Sequence, residues 1–580
     1  MRKLTHFILK QNPKKLFAFL LIMWLGMNFF SALFTEIMKD EAYYFLYGQN
    51  LAWGYFDHPP MVALMTWLSS LFCEGNLSVR FVTMFIQFFT LVIIWKLIDE
   101  KRPDSKSVVL FFIASMSMVM FQAYGFVTTP DAPLLFFASL FLLVYRNFLK
   151  NNSLINTLLL ALTMAGMIYS KYHTVLIIGC IVLSNIRLLI QPKFWIAVFL
   201  AILLLLPHIC WQFSMNFPSF TYHLLDRSSS FQWRYFFEYI PNQLVVFNPF
   251  TFGAVIYIVC KYKAVDLFEK GLYYLLFGFL SFFWIMSFRG HVEPHWTVVC
   301  TIPMIVLLYR HSLHDRKLRR FVKLWILPSI ILVFCTRIAL VTDWLPESLG
   351  FHGKKAKNEA IQSIAGDIPV VFVSESFQKP SSYRFFTGQE SFVLSSITSR
   401  QTQFDILQKE LAYQGKQVFI CHHKEGRSKE YHINGDSFSG YFASDFQSVN
   451  RVEINYTLPQ TDLVPGDTLR IAFEMHNPTS SAIHFRHSEF PVTCKAAYIW
   501  YSTNAKGTEK IEVMLNDCEF DRAIDTLPAN TTITGSLKTI VPDIRLFGYT
   551  FTLTLDNTIC CAKNSDFISI TMHNTTLAVN

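Results

Sequence analysis

The sequence predicts an α-helical polytopic membrane protein with a soluble C-terminal part, and three observations lead there. Of its 580 residues 52% are hydrophobic and only 16% charged, whereas a soluble globular domain is about one-quarter charged. Apolar runs long enough to cross a bilayer recur up to about residue 342. From about residue 350 the chain reverts to ordinary soluble sequence, with regular charges and short alternating patterns. The expected organisation is a transmembrane domain over 1–345, a small α/β domain over 346–435 and a β-sandwich over 436–580.

The apolar runs fall at 16–34, 79–98, 107–124, 129–148, 154–170, 173–188, 194–213, 236–260, 268–288, 296–310 and 321–342, which makes about eleven helices of spanning or near-spanning length. The first is long enough to stay in the membrane, so no cleaved signal peptide is read. Met61 to Cys73 is apolar but too short to span and is expected to lie at the interface. One alternate set of loops is basic: Arg2, Lys3, Lys10, Lys14 and Lys15, then Lys101 and Arg102, Arg146 and Lys150, Arg187 and Lys193, Lys261 and Lys263, and Arg310 to Arg320. The positive-inside rule makes these cytoplasmic, and an odd number of spans then places the soluble part outside. The same loops account for the net charge of +9, which is therefore no argument for a nucleic-acid partner.

In the soluble part, 368–373, 391–394 and 417–421 read as short buried strands, with a helix over 401–413. From about 440 alternating strands and turns, the latter at Pro465-Gly466-Asp467 and Asn477-Pro478, read as a β-sandwich. Of the 11 cysteines, Cys180, Cys210, Cys260, Cys300 and Cys335 lie in apolar runs; for Cys421, Cys494, Cys518, Cys560 and Cys561 the spacing does not choose a pairing.

The loops on the non-basic face hold the unusual chemistry. Lys39-Asp40-Glu41-Ala42-Tyr43-Tyr44 and Gly54-Tyr55-Phe56-Asp57-His58-Pro59-Pro60 crowd three carboxylates, a histidine and several tyrosines into one short loop. Asp40 and Glu41 could take a proton from an attacking hydroxyl or serve as interfacial charges at a helix end. Asp57 and His58 add an acid and a cation on a backbone stiffened by two prolines; His58 would hold a phosphate, bridge carboxylates, or simply hydrogen-bond within the loop. Asp131, in Thr128-Thr129-Pro130-Asp131-Ala132-Pro133, opens an apolar run, where an acid is functional, paired or a helix cap. Lys171 and the stretch Arg289-Gly290-His291-Val292-Glu293-Pro294-His295-Trp296 put cations on the same face, suited to a lipid-linked phosphate. Lys171 could also snorkel to the interface. His291, Glu293 and His295 carry a zinc-like spacing, but Pro294 inside it argues against a regular helix. Tyr222 to Arg227 with Phe231 to Arg234 mixes aromatics and charges as a carbohydrate site or a lid would. No Walker loop, dinucleotide fingerprint or Asp-x-Asp motif supports a cytosolic nucleotide donor.

Together Asp40-Glu41-Ala-Tyr-Tyr, Gly54-Tyr-Phe-Asp-His-Pro-Pro60, Pro130-Asp131-Ala-Pro, Ser170-Lys171-Tyr and Glu293-Pro-His-Trp296 resemble the bacterial branch of the protein-mannosyltransferase superfamily, over roughly residues 15 to 345. That group includes the aminoarabinose transferase of lipid A and galacturonosyltransferases of lipopolysaccharide. The resemblance implies a GT-C fold and an inverting transfer from a polyprenyl-phosphate sugar at the outer membrane surface. It matches the family's base to Asp40, its second acid to Asp131 and its phosphate-binding lysine to Lys171. The expected site adds Glu41 as a catalytic acid, and Asp57, His58, Arg289, His295, Tyr43 and Tyr55 as donor contacts. Asp57-His58-Pro59-Pro60 departs from the Glu-Lys-Pro-Pro of the aminoarabinose transferase, so donor contacts are expected to differ there, and the terminal sandwich has no counterpart in that resemblance.

The expected setting is the bacterial inner membrane, crossed many times, with site and C-terminal part periplasmic. The expected partners are the polyprenyl (undecaprenyl) phosphate donor, a lipid or protein acceptor and membrane lipids, with no nucleic acid. The acceptor is expected to be lipid A or another glycolipid, the alternative being a protein hydroxyl; a lipid-linked sugar transporter is the reading from a different class. No cofactor is expected, with a divalent cation left open.

Overall fold

The computed structural model describes residues 11–223, 232–342, 344, 352–373, 376–421, 426–433, 435–503, 509–543 and 549–572. The chain divides into two compact units, Met1–Lys355 and Ala356–Asn580.

The first unit is helical. Its helices are α1 (Pro13–Phe34), α2 (Lys39–Gln49), α3 (Met61–Phe72), α4 (Leu77–Ile98), α5 (Ser105–Met116), α6 (Val119–Ala123), α7 (Asp131–Lys150), α8 (Leu154–Ser170), α9 (Thr174–Ser184), α10 (Pro192–Ser214), α11 (Pro218–Thr221), α12 (Trp233–Phe247), α13 (Pro249–Lys261), α14 (Leu267–Met286), α15 (Thr301–His314), α16 (Arg316–Phe321) and α17 (Leu327–Val341). Local chemistry sets several starts. Asn12 accepts from Lys14 N at 3.0 Å, with Pro13 leading α1; Asp104, Ser153 and Asp266 cap α5, α8 and α14 in the same way. A capping oxygen satisfies N–H groups that a helix start leaves without a partner.

Among the described residues six helical segments are long and apolar enough to cross a membrane: Pro13–Phe34, Leu77–Ile98, Asp131–Lys150, Pro192–Ser214, Pro294–His314 and Arg316–Val341. A seventh results if α12 and α13, bent by 102° at their junction, form one span. The eleven runs read from the sequence are thus not eleven long helices. The run 107–124 breaks between α5 and α6, 173–188 passes into a 3₁₀ turn at Ile186–Ile190, and 296–310 opens as a 3₁₀ turn at Pro294–Cys300. The α12–α13 bend sits where Asn248 takes φ 68° just before Pro249, and proline keeps its predecessor out of the helical region. Met61 to Cys73 does form the short helix α3. Residues 39–49, read as loop, are a helix, because Glu41 closes its first turn by accepting from Met38 N at 2.8 Å.

The core of this unit is one apolar cluster running through α1, α4–α10 and α12–α17, with Phe111, Leu135, Leu272, Leu275 and Tyr309 fully buried. Phe19, Ile22, Phe89, Ile155, Phe199 and Leu332 are exposed, an apolar outer surface of the kind a bilayer covers.

In the second unit β1 (Val370–Val373), β2 (Ser391–Leu394), β3 (Val418–Cys421), β4 (Lys429–Ile433) and β5 (Asp436–Ala443) form one sheet in the order β2-β1-β3-β5-β4. Strand β1 runs parallel to β2 and β3, while β5 is antiparallel to β3 and β4. This sheet reaches past residue 435, because Phe419 registers against Phe442. Beyond it β6 (Glu453–Thr457), β8 (Thr468–Asn477), β12 (Glu519–Phe520) and β14 (Thr531–Ile540) make a four-stranded sheet in the order β12-β14-β8-β6. A five-stranded sheet follows the order β11-β10-β15-β16-β7, with β7 (Asp462–Leu463), β10 (Thr493–Thr503), β11 (Glu509–Asp517), β15 (Tyr549–Asp556) and β16 (Ile568–Met572). A small pair, β9 (Ile483–His484) with β13 (Thr526–Leu527), completes the β-rich region. Strand β8 alternates exposed and buried residues, the period-2 signature of a strand with one face in a core. The turn at 465–467 is made by Gly466 at φ 88°.

Candidate active site

The site is built around two carboxylates that start helices, Asp40 on α2 and Asp131 on α7. An anion is favoured at a helix start, where N–H groups point outward. Asp40 is exposed. Its neighbour Glu41 has no exposed surface. Arg80 of α4 grips Glu41 with two bonds, Nε to Oε1 at 2.8 Å and Nη2 to Oε2 at 2.5 Å. Thr128 N adds a third donor to Oε1 at 2.9 Å, and Met38 N the fourth. Arg80 spends its remaining donors on Ala32 O, Thr35 O, Thr35 Oγ1 and Glu36 O. One buried ion pair therefore ties the end of α1, the start of α2, α4 and the loop before α7 together. The lone pairs of Glu41 are spent on this lock, and Asp40 is the exposed acid of the pair.

Asp131 is 1% exposed and takes two hydrogen bonds from Lys171 Nζ, at 2.8 and 2.9 Å. Lys171 sits at the C-terminal end of α8 and is itself buried. His295 Nε2 lies 3.8 Å from the second Asp131 oxygen. The lysine expected as a bare phosphate cation is thus half of a bidentate pair with the second acid. Arg289 is exposed, and no ion pair joins it to another described site residue.

Asp57 is buried, with Tyr47 Oη donating to its carboxylate and His223 Nε2 lying 2.9 Å from its carbonyl. His58 is half-buried, 3.4 Å from Tyr44 Oη. Tyr43 and Tyr55, expected to touch the donor, are buried at 1% and 0% exposure. The Tyr55 ring stacks on Tyr47 at 4.1 Å, and its hydroxyl joins Tyr47 O, Asn50 O and Ala52 N. Tyr55 thus braces the end of α2, its hydroxyl held by the turn that follows.

The electrostatics show convergence. Burial, then Asp40, Asp57 and Asp131 in that order, hold the Tyr44 phenol well above its ordinary pKa of 10. Burial and then Asp131 do the same to Tyr124, with Asp40 contributing. Carboxylates 91 positions apart in sequence thus act on the same hydroxyls, and the two phenols stay protonated as hydrogen-bond donors.

Residues that sequence reasoning passed over frame this site. Arg80 is one, and its signal was present, since a lone arginine in an apolar run of spanning length needs a partner. Another is a polar chain tying α8, α10 and α11 to the first loop: Tyr172 Oη lies 3.2 Å from His208 Nε2, Gln212 donates to Tyr172 Oη and Ser219 Oγ, and Ser219 donates to Tyr55 O. His208 Nδ1 meets Trp53 O at 2.6 Å. Gly54 lets α10 come this close, because a Cβ there would sit 2.2 Å from the Trp211 ring. Tyr222 and His223 do reach this site, whereas 224–231 lie outside the described residues. Among the described residues no group of three His, Cys, Asp or Glu side chains is placed to hold a metal ion.

A helical membrane unit with paired acids at one end, followed by a β-rich C-terminal region, defines a GT-C-type architecture. The comparisons agree on the fold. The chain is similar to crystal structures of ArnT from Cupriavidus metallidurans: to the apo form at 11% identity and a TM-score of 0.53, covering 74% of this chain and 98% of that one. To the form bound to undecaprenyl phosphate the identity is 11% and the TM-score 0.51, covering 73% and 97%. Residues 57–211 match the family model of dolichyl-phosphate-mannose-protein mannosyltransferases. That span takes in Asp57, Arg80, Asp131 and Lys171, and stops short of Asp40, Arg289 and His295. No curated protein sequence matches the chain. The likeness to ArnT, at 11% identity, is one of fold, and the family model covers residues 57–211 of the chain.

Proposed function

We propose that this chain is an inverting glycosyltransferase that moves a sugar from a polyprenyl phosphate to a hydroxyl at the periplasmic face of a bacterial inner membrane. The observation that carries the reading is the buried Asp131–Lys171 pair, at 2.8 Å, with His295 3.8 Å from the same carboxylate. The ArnT of the same fold was solved with undecaprenyl phosphate, which supports a donor of that class. Asp40, the exposed acid, takes the proton of the acceptor hydroxyl as its oxygen attacks the anomeric carbon. The bond from that carbon to the phosphate oxygen breaks in the same step, so configuration inverts and no covalent enzyme intermediate forms. Charge then develops on the leaving phosphate, where His58, His295, Arg289 and the remaining N–H of Lys171 stabilise it. Asp131, oriented by Lys171, and Asp57, oriented by Tyr47, hold sugar hydroxyls. Glu41 acts through the backbone by fixing α2 on Arg80.

The preferred acceptor is a glycolipid such as lipid A. A protein hydroxyl is the second reading, favoured by the match of residues 57–211 to a protein-mannosyltransferase model. A transporter is disfavoured, because the site acids stand at helix starts on one end of the unit rather than along a mid-membrane path. The test is transfer of labelled sugar from a panel of undecaprenyl-phosphate sugars in membranes holding wild type or Asp40→Asn, with lipid and protein fractions analysed by mass spectrometry. Label in lipid with wild type alone supports the first acceptor, and label in protein the second.

A further inference from the structure

Arg337 stands in α17, the last helix of the membrane unit, as the one charged residue of Leu327–Val341. It is 6% exposed, and no carboxylate among the described residues pairs with it. Its Nε donates to Ser31 Oγ at 2.8 Å and its Nη2 to Asn28 Oδ1 and Met27 O, all on α1. Its Nη1 and the Nδ2 of Asn28 are buried without a partner. A buried guanidinium with neither a counter-charge nor a full set of acceptors is costly. A methionine of similar length would avoid that cost, so packing alone does not call for arginine here.

What the guanidinium touches points to its use. Its Cζ lies 4.9 Å from the ring centroid of Phe126, and that of Arg80 lies 5.6 Å from the same ring. Phe126 belongs to the 124–130 segment that delivers Asp131. The same segment presses Gly125 against Asn28, where a Cβ would come within 2.6 Å of Oδ1, and bonds Thr128 to Glu41, Val79 O and Thr83 Oγ1. Arg80 reaches the segment from the Asp40 side, through Glu41. Arg337 reaches it from α17 and α1.

We propose that Arg337 is a positioning residue for the segment bearing Asp131, which it holds through the face of Phe126 and so fixes against the helix bearing Asp40. This rests on the catalytic reading of that pair of acids, but the hold itself is independent of it. The experiment compares full-length wild type, Arg337→Met, Arg337→Lys, Phe126→Leu and Asp131→Asn in detergent, by thermal unfolding, amide hydrogen exchange and transfer from undecaprenyl-phosphate sugars. For Arg337→Met the expected results are a Tm no lower than wild type, faster exchange confined to 124–130, and kcat down about 10- to 100-fold with KM changed less than about twofold. Phe126→Leu should copy this, and Arg337→Lys, which keeps a cation for the ring, should recover much of the rate. Unchanged exchange over 124–130, or a lowered Tm with faster exchange throughout, overturns the proposal. Faster exchange over 124–130 while Asp131→Asn stays fully active would keep the hold by Arg337 and overturn the catalytic reading of Asp131 instead.

Discussion

The two ends of α7, about 30 Å apart for a 20-residue helix, treat acids differently. At the Lys150 end three carboxylates are each met by two or more partners. Asp99 faces Lys150 at 3.1 Å and Arg146 at 3.7 Å; Glu269 faces His311 at 3.1 Å and Arg310 at 3.2 Å. Asp315 takes Lys261 and Tyr262 and caps α16 besides. At the Asp131 end the acids are graded: Glu41 is locked by Arg80, Asp131 is paired yet has a half-exposed histidine nearby, and Asp40 is exposed. One end holds loops with its charges, while the other carries an acid on the surface beside two buried ones.

The comparison breaks most sharply at Asp40. Asp40→Asn keeps shape and removes the base, so transfer should fall about 10²- to 10⁴-fold with Tm unchanged; a loss of similar size in Asp99→Asn would erase the distinction between the ends. Next is Arg80→Met, which strands Glu41 as a buried unpaired charge and should cost about 3–5 kcal/mol of stability. Unfolding followed by tryptophan fluorescence checks this, and adding Glu41→Gln should restore most of the loss if that charge is the cause. Tyr44→Phe is smaller. Its raised pKa keeps the phenol protonated, so the variant loses one hydrogen-bond donor, about 1 kcal/mol or fivefold in rate. The alkaline limb of the pH–rate profile should stay in place, because that proton is not released in the working range. Asp99→Asn should be smallest, since Asp99 and Lys150 are 47% and 62% exposed; stability should change by about 0–1 kcal/mol and transfer should be unaltered.

Much of this architecture was legible in the sequence because apolar runs and period-2 alternation report burial directly. The runs at 16–34, 79–98 and 194–213 became α1, α4 and α10 within a few residues, and 391–394 became β2. The breaks were harder to read. Asn248 and Pro249 bend one run through 102°, and the hydrophobicity on either side hides the bend. The helix at 39–49 was hidden because its apolar content is low and its start is closed by the Glu41 side chain, a contact that pattern does not display. Asp40, Asp57, Asp131, His58 and Lys171 could be gathered on one face from loop order alone. Which acid is buried could not, since the burial of Glu41 beside exposed Asp40 depends on Arg80, 39 residues away. Tyr55 is a similar case: an aromatic in a polar loop reads as a ligand contact, and its bonds to the backbone at Tyr47, Asn50 and Ala52 show only in the fold.

The proposed chemistry rests on Asp40, the exposed acid of the set. The most direct measurement is single-turnover transfer from labelled undecaprenyl-phosphate sugars by the purified full-length chain, with wild type beside Asp40→Asn. The account predicts burst transfer of label by wild type and loss of the chemical step in the variant, with undecaprenyl phosphate still bound. Equal transfer by both proteins would contradict it.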